Sequence, residues 1–273
     1  MKVDPTQLDW VIAEIVKNAS YARMDAALVR KIAGQEMGKR KSAKEAVKAA
    51  RSKLHQIGTV YLDGPKAVSA DFASISDEQV HDLDLQKAWT LPYLAQHVST
   101  KERQAFIPEF YESIFQHLPP VRSVLDLACG LNPLCRAWMP LAPDVPYYAL
   151  DVFQDVIHLV NTFFQHFGYA GQAELKDVTG ELPADSQSVV FLLKTLPCLE
   201  QIEKGIGGKI LCHFQANTLV VSFPAKSLGG KNIGMVGHYE AYLQSILGPN
   251  QGVVATLPFS NETVYILRGK PPI

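Results

Sequence analysis

RSVLDLACGLNP, from Arg122 to Pro133, is the stretch that decides the fold. A short apolar run with β-branched residues leads into Ala128-Cys129-Gly130 and breaks at Asn132-Pro133. That pattern reads as a buried strand followed by a small-residue turn. The pattern recurs downstream. Tyr147-YALDV ends in Asp151, Ala173-ELKDV ends near Asp177, and Ser188-VVFLL and Thr218-LVVSF follow. Helical stretches separate these runs, and Gly252-VVATL with Thr263-VYIL makes a closing pair. Strand alternating with helix predicts an α/β fold: a mostly parallel seven-stranded sheet covered on both faces, ending antiparallel.

Upstream, residues to about Gln96 read as helices joined by short turns. Asp4-Pro5 predicts one helix start, Asp25 another, and Ser42-Ala-Lys-Glu45 reads as a capping box. Ser76 is expected to begin a further helix running toward Trp89. The organisation predicted is a helical module over 1–96 and a sheet domain over 97–273. A helix from about Pro108 to Leu118, with Phe110, Ile114 and Leu118 inward, precedes the first strand.

The net charge of -1 excludes a uniformly basic chain but hides an asymmetry. Between Lys17 and Lys53 stand eleven Lys or Arg against three acids, so the remainder is acidic. On the helix after Ser42, Val47, Ala50, Leu54 and Ile57 share one face. Lys44, Lys48, Arg51 and His55 recur on another. One side is suited to packing and the other to phosphates; a solvated charged face is the plain alternative.

With 47% hydrophobic and 19% charged residues, the composition is that of a globular chain and excludes wholesale disorder. Cys129, Cys135, Cys198 and Cys212 lack metal-knuckle or redox spacing and read as buried free thiols in a reducing compartment. No metal site is expected. The N-terminus lacks a leader pattern, and Lys194 stops the longest apolar run, so a cytoplasmic protein is expected.

Ligands of such sheets sit at the carboxyl ends of the strands. The turn at Ala128-Cys129-Gly130 allows close approach to backbone. Asp151 is placed to hold two ribose hydroxyls, and Asp177-Val178 suits an adenine. No G-x-G-x-x-G and no phosphate-loop lysine is present, so S-adenosyl-L-methionine, which needs no pyrophosphate cradle, fits better than a dinucleotide. Each acid taken singly is equally a loop carboxylate capping the next helix. Ser99-Thr-Lys-Glu102 reads as another capping box, with Arg103 able to reach a carboxylate in two-point fashion. Phe223 and Tyr239 are aromatics near a strand end and a loop, and core packing suits Phe223.

DLACGLNP, the STKER run at Ser99, TLPCLEQ from Thr195, SFPAKSLGG from Ser222 and KLHQIG from Lys53 occur together and in order. With them the chain resembles the 16S rRNA (guanine(1405)-N7)-methyltransferases of the aminoglycoside-resistance group. The resemblance implies a Rossmann-like class I methyltransferase domain preceded by a helical rRNA-binding domain. It implies methyl transfer from S-adenosyl-L-methionine to guanine N7 in the 30S subunit; a monomer is the default expectation.

Carried onto this chain, the resemblance puts Tyr61, His97, Val98, Ser99, Arg103, Ala128, Asp151, Asp177, Val178 and Leu193 around the cofactor. Arg103 would grip its carboxylate. Lys44, Lys48, Arg51, Lys226, Ser227 and Lys231 would face RNA. Two positions depart from the family pattern. Ile202 stands where a glutamine is usual, and Ile233 replaces the second basic residue of the loop after Gly230.

Guanine N7 carries a free lone pair, so the chemistry needs positioning and no general base. Cys129 and Cys198 are accordingly expected to be structural. Rival readings are a methyltransferase acting on adenine N1 in the same rRNA region, a small-molecule methyltransferase, and a non-catalytic RNA-binding protein.

Overall fold

The computed structural model describes residues 4–58, 80–184, 187–225 and 235–269. In the interior of its sheet lies β1 (Val124–Leu127), with all four residues buried. It pairs in parallel with β2 (Tyr147–Asp151) on one side and β4 (Val189–Leu193) on the other. β3 (Gly171–Leu175) extends the sheet beyond β2, and β5 (Thr218–Pro224) extends it beyond β4. β7 (Glu262–Gly269) then joins β5 antiparallel and pairs with the edge strand β6 (Gln251–Pro258). Among the described residues the order is β3-β2-β1-β4-β5-β7-β6, the mostly parallel seven-stranded sheet expected.

Burial explains the sequence pattern. The interior strand β4 is apolar without interruption because helices cover both its faces. The edge strand β6 alternates partly buried and exposed residues because one face meets water. The order reverses between β1 and β4, so their carboxyl ends splay into a crevice.

Among the described residues the first four helices are α1 (Pro5–Val16), α2 (Ala19–Ala22), α3 (Ala26–Met37) and α4 (Ala43–Ile57). Asp4, Asp25 and Ser42 cap α1, α3 and α4 through their side chains, as their spacing predicts. The helices α1, α3 and α4 pack on one another through Val11, Ile15, Leu28, Ile32, Ala50 and Leu54, all fully buried. This module is bound directly to the end of β2. The Asp25 amide donates to the Val152 carbonyl (2.8 Å), and the Gln154 amide donates to the Arg23 carbonyl (2.9 Å).

α5 (Leu83–Leu94) is capped by Asp82, and the expected start at Ser76 lies outside the described residues. It packs on the 3-10 segment Asn132–Trp138 behind β1. There Tyr169 donates to Gln86 (2.5 Å), and Trp89 meets the Phe167 ring edge-on. α6 (Val98–Arg103) and α7 (Ile107–Gln116) lead into β1. α8 (Gln154–His166), α9 (Leu196–Ile202), α10 (Ile206–His213) and α11 (Met235–Ile246) complete the described helices.

Two expectations are corrected. Ser99 does not open a capping box. α6 starts at Val98 with His97 in the capping position and no side-chain cap, and the Glu102 carboxylate is engaged by Lys194 instead. Nor are all four thiols buried: Cys129 and Cys135 are, Cys198 is only partly buried and Cys212 is exposed. No helix among the described residues is long and apolar enough to cross a membrane.

Candidate active site

The carboxyl ends of β1 to β4 open into a cleft that is continuous with solvent. Sheet order sets out its floor from Asp177 after β3, through Asp151 and Ala128, to Leu193 and Lys194 at the end of β4. His97 and Ser99 of the α6 segment, Thr195, Leu199 and Ile202 from α9, and Leu28 and Ile57 from the N-terminal helices form the walls.

Among the described residues, two non-glycine positions adopt left-handed backbone: Ala128 (φ 52°) and Lys194 (φ 58°). Both terminate strands and both line the cleft. Such conformations persist only where the surroundings enforce them, and they concentrate at functional sites. Gly130 also has positive φ, and a Cβ there would lie 2.8 Å from the His97 imidazole. Glycine is therefore required for α6 to close against the turn.

Asp151 fixes that turn. One carboxylate oxygen accepts from the Gly130 amide (2.8 Å), and the other accepts from the amides of Val152 (2.7 Å) and Phe153 (3.1 Å). Burial raises its pKa while the three amides counter. The carboxylate lines the cleft, and with three of its about four lone pairs taken by amides it keeps one for a further donor. Asp177 accepts from the amide and hydroxyl of Thr179 (2.9 and 2.7 Å), so it shapes its own turn as well as lining the cleft. Val178, Phe153, Leu199 and Ile202 supply apolar walls around it.

At the other end stands Lys194, almost fully buried, with its ammonium on Glu102 (2.7 Å). Behind it Arg103 makes a two-point pair with Glu262 (2.5 and 3.1 Å) and donates to Asn132 (3.1 Å). Burial works to raise the Glu262 carboxyl, but the guanidinium prevails and holds it below the usual range. Asn132 in turn donates to Asp126 (2.8 Å), which Tyr147 also contacts (2.7 Å). Burial pushes Asp126 up to about 7. Burial, with the charges of Arg103 and Lys194, pushes His97 down to about 4, so its imidazole is neutral at physiological pH.

The cleft therefore brings together His97, Ser99, Ala128, Asp151, Asp177, Val178 and Leu193 of the residues expected there. Val98 and Arg103 do not line it; the Arg103 guanidinium lies behind the wall, committed to Glu262. Of the residues expected to face RNA, Lys44 and Lys48 are exposed on α4. Arg51 is not part of their stripe: its guanidinium turns inward and donates to the Glu14 carbonyl. Tyr61, Lys226, Ser227, Lys231 and Ile233 lie outside the described residues. Phe223 is buried and stacks on Tyr239 (4.9 Å between centroids), a core role. Sequence reasoning missed Lys194, Glu262 and Leu28. Only Lys194 carried a signal, a cation directly ending a buried strand.

The cleft fits an adenosine-bearing sulfonium cofactor. It offers strained backbone for close approach, a buried carboxylate at the end of β2, apolar walls near Asp177, and polar groups at Ser99 and Lys194.

Comparison with known proteins agrees. The model of the family described as ribosomal RNA methyltransferase (FmrO) matches residues 17–266. A 16S rRNA (guanine(1405)-N(7))-methyltransferase of Micromonospora echinospora is 31% identical over 265 residues, covering 96% of this chain and 97% of that protein. One from Serratia marcescens is 31% identical over 257 residues, covering 94% and 96%. Among solved structures, the 16S rRNA methyltransferase RmtF in complex with S-adenosyl-L-homocysteine superposes with a TM-score of 0.82 at 27% identity, covering 98% of this chain and all of that one. The 16S rRNA methylase RmtB superposes with a TM-score of 0.78 at 25% identity, with the same coverage.

Proposed function

The chain belongs to the FmrO family of ribosomal RNA methyltransferases, and on that premise we propose how its cleft and helices carry out the reaction. It is an S-adenosyl-L-methionine-dependent methyltransferase acting on N7 of guanine 1405 in 16S rRNA. The observation that carries the assignment is the cleft: a buried carboxylate, apolar walls beside Asp177, and polar groups at Ser99 and Lys194, gathered at the carboxyl ends of successive strands. The same chain matches guanine(1405)-N(7) methyltransferases over nearly its whole length.

Asp151 would hold the ribose hydroxyls, Asp177 and Val178 would frame the adenine, and Ser99 with Lys194 would hold the amino-acid end. Ala128 and Gly130 would let the cofactor lie against backbone. When bound, the group supplies a methyl already activated by its sulfonium. The protein's task is then to align N7 with that methyl and to exclude water. The neutral imidazole of His97 adds no positive charge to a site that must accept a cation.

N7 lies on the major-groove edge, which in A-form RNA is too deep and narrow for a side chain to reach. The guanine must therefore leave the helix, and phosphate contacts offset the cost of unstacking it. Residues 1–96 serve as the rRNA-docking part, with Lys44 and Lys48 presented to phosphates. Residues 97–273 serve as the catalytic part. Lys226, Ser227 and Lys231 are assigned to the target-base side on the strength of the family resemblance.

The working substrate is the 30S subunit in the cytoplasm, met by a monomer, and the outcome in a cell is aminoglycoside resistance. Expression in a sensitive bacterium should raise resistance to gentamicin and kanamycin and leave apramycin sensitivity unchanged. An unaltered profile, or apramycin resistance, would contradict the target.

A further inference from the structure

We propose that Lys31, on the N-terminal helix α3, is a positioning residue for the adenine end of the cofactor. It ties the loop that carries Asp177 to the end of α9 across the top of the cleft. The inference rests on the cofactor reading above and adds to it a role for the docking module inside the cofactor site.

The Lys31 ammonium has three protons and three partners. It donates to the Thr179 carbonyl (3.0 Å), the Thr179 hydroxyl (2.9 Å) and the Glu203 carboxylate (2.5 Å). The Thr179 hydroxyl, while accepting from Lys31, sends its own proton to Asp177 (2.7 and 2.8 Å to the two oxygens). The chain of donors therefore runs one way, from the ammonium through a buried hydroxyl to the carboxylate that lines the cleft. A chain with a single polarity fixes each rotamer in turn.

The helix is suited to the task. Leu28, Lys31 and Gln35 fall at i, i+3 and i+7 and so share one face of α3. Leu28 lines the cleft directly. Gln35 donates to the Ile202 carbonyl (3.1 Å) at the end of α9 and accepts from Lys53 of α4 (2.7 Å). Ile202 also lines the cleft. One face of α3 thus roofs the adenine recess and grips both of its walls. Displacing α3 would release Asp177 and Ile202 together. By linkage, whatever the cofactor gains from a seated α3 is returned to the seating of the module that meets rRNA.

Calorimetric titration with S-adenosyl-L-homocysteine, paired with steady-state kinetics on 30S subunits, tests this on the full chain. Lys31→Met and Thr179→Val should each weaken binding about tenfold and raise KM for S-adenosyl-L-methionine alike, with kcat within about twofold. Thr179→Val removes one hydroxyl and keeps the Lys31–Glu203 pair, so it separates the relay from plain attachment of the two parts. Unchanged affinity in both variants with a lowered melting temperature would mean a merely structural bridge and would overturn the proposal. A fall in kcat at constant KM would overturn it too. Asp177→Asn is the control for the underlying reading. If it binds like the wild type, the cofactor site itself is misassigned. If it binds weakly while the other two variants do not, the Lys31 inference alone fails.

Discussion

Arg103 and Glu262, 159 positions apart in sequence, form a two-point ion pair with both side chains sealed from solvent. The guanidinium also lies 4.4 Å from the centre of the Phe110 ring. A buried charge stripped of its partner is expensive, so Arg103→Met or Glu262→Gln alone should cost about 3–5 kcal/mol. Urea denaturation of the two single variants and the double variant tests this. The double variant should lose much less than the sum of the singles, and additive losses would contradict the coupling.

Asp151 serves both the turn and the proposed cofactor. Asp151→Ala removes the acceptor for three amides, so the melting temperature should fall and S-adenosyl-L-homocysteine binding should weaken by at least about tenfold. Asp151→Asn keeps one carbonyl oxygen and should retain more stability than affinity. Calorimetry and a thermal melt on both variants separate the two roles; equal affinity in Asp151→Ala and wild type would remove Asp151 from the site.

Lys44 and Lys48 are exposed on α4, whereas the Arg51 guanidinium is spent on the Glu14 carbonyl. The double change Lys44→Ala with Lys48→Ala should lower 30S affinity and flatten its logarithmic salt dependence by about 0.7–0.9 per lost phosphate contact. Cofactor affinity should not move. Arg51→Ala should instead lower stability and leave the salt slope alone. A slope change in Arg51→Ala, or none in the lysine pair, would reverse the assignment.

His97 is held neutral, its pKa displaced from 6.5 down to about 4 by burial and by the nearby cations. The unfolded chain therefore binds a proton between those values that the folded chain refuses. This contribution is complete above pH 6.5 and is lost as pH falls toward 4. Asp126 acts in the opposite sense, because burial raises it to about 7 and its contribution weakens as pH rises through that range. The informative quantity is therefore the difference between His97→Gln and wild type. The wild-type slope should be steeper on the acid side, and the gap in melting temperature between the two should be wider at pH 7 than at pH 5. A gap independent of pH would exclude the buried neutral imidazole.

What could be read in advance follows from how local each signal is. The strand runs around Val124, Tyr147 and Val189 are legible because parallel strands covered on both faces must be apolar throughout. Asp25 and Ser42 are legible as caps because a cap is decided within four residues. Asp151 is legible because it ends such a run. Ser99 misleads for the converse reason: its spacing is right, but Glu102 is drawn away by Lys194, 92 positions along the chain. Arg51 follows the stripe of Lys44 and Lys48 in period, yet its long stem reaches α1, a contact no helical wheel contains. Lys31 and Glu203, 172 positions apart, meet only because the first four strands of the sheet fold between them.

The most direct measurement exposes purified 30S subunits to the protein with methyl-labelled S-adenosyl-L-methionine and then cleaves the 16S rRNA chemically at 7-methylguanosine. One break at guanine 1405, dependent on cofactor and abolished by Asp151→Ala, is the result predicted. Label without a break there, or a break at another nucleotide, would contradict the assignment.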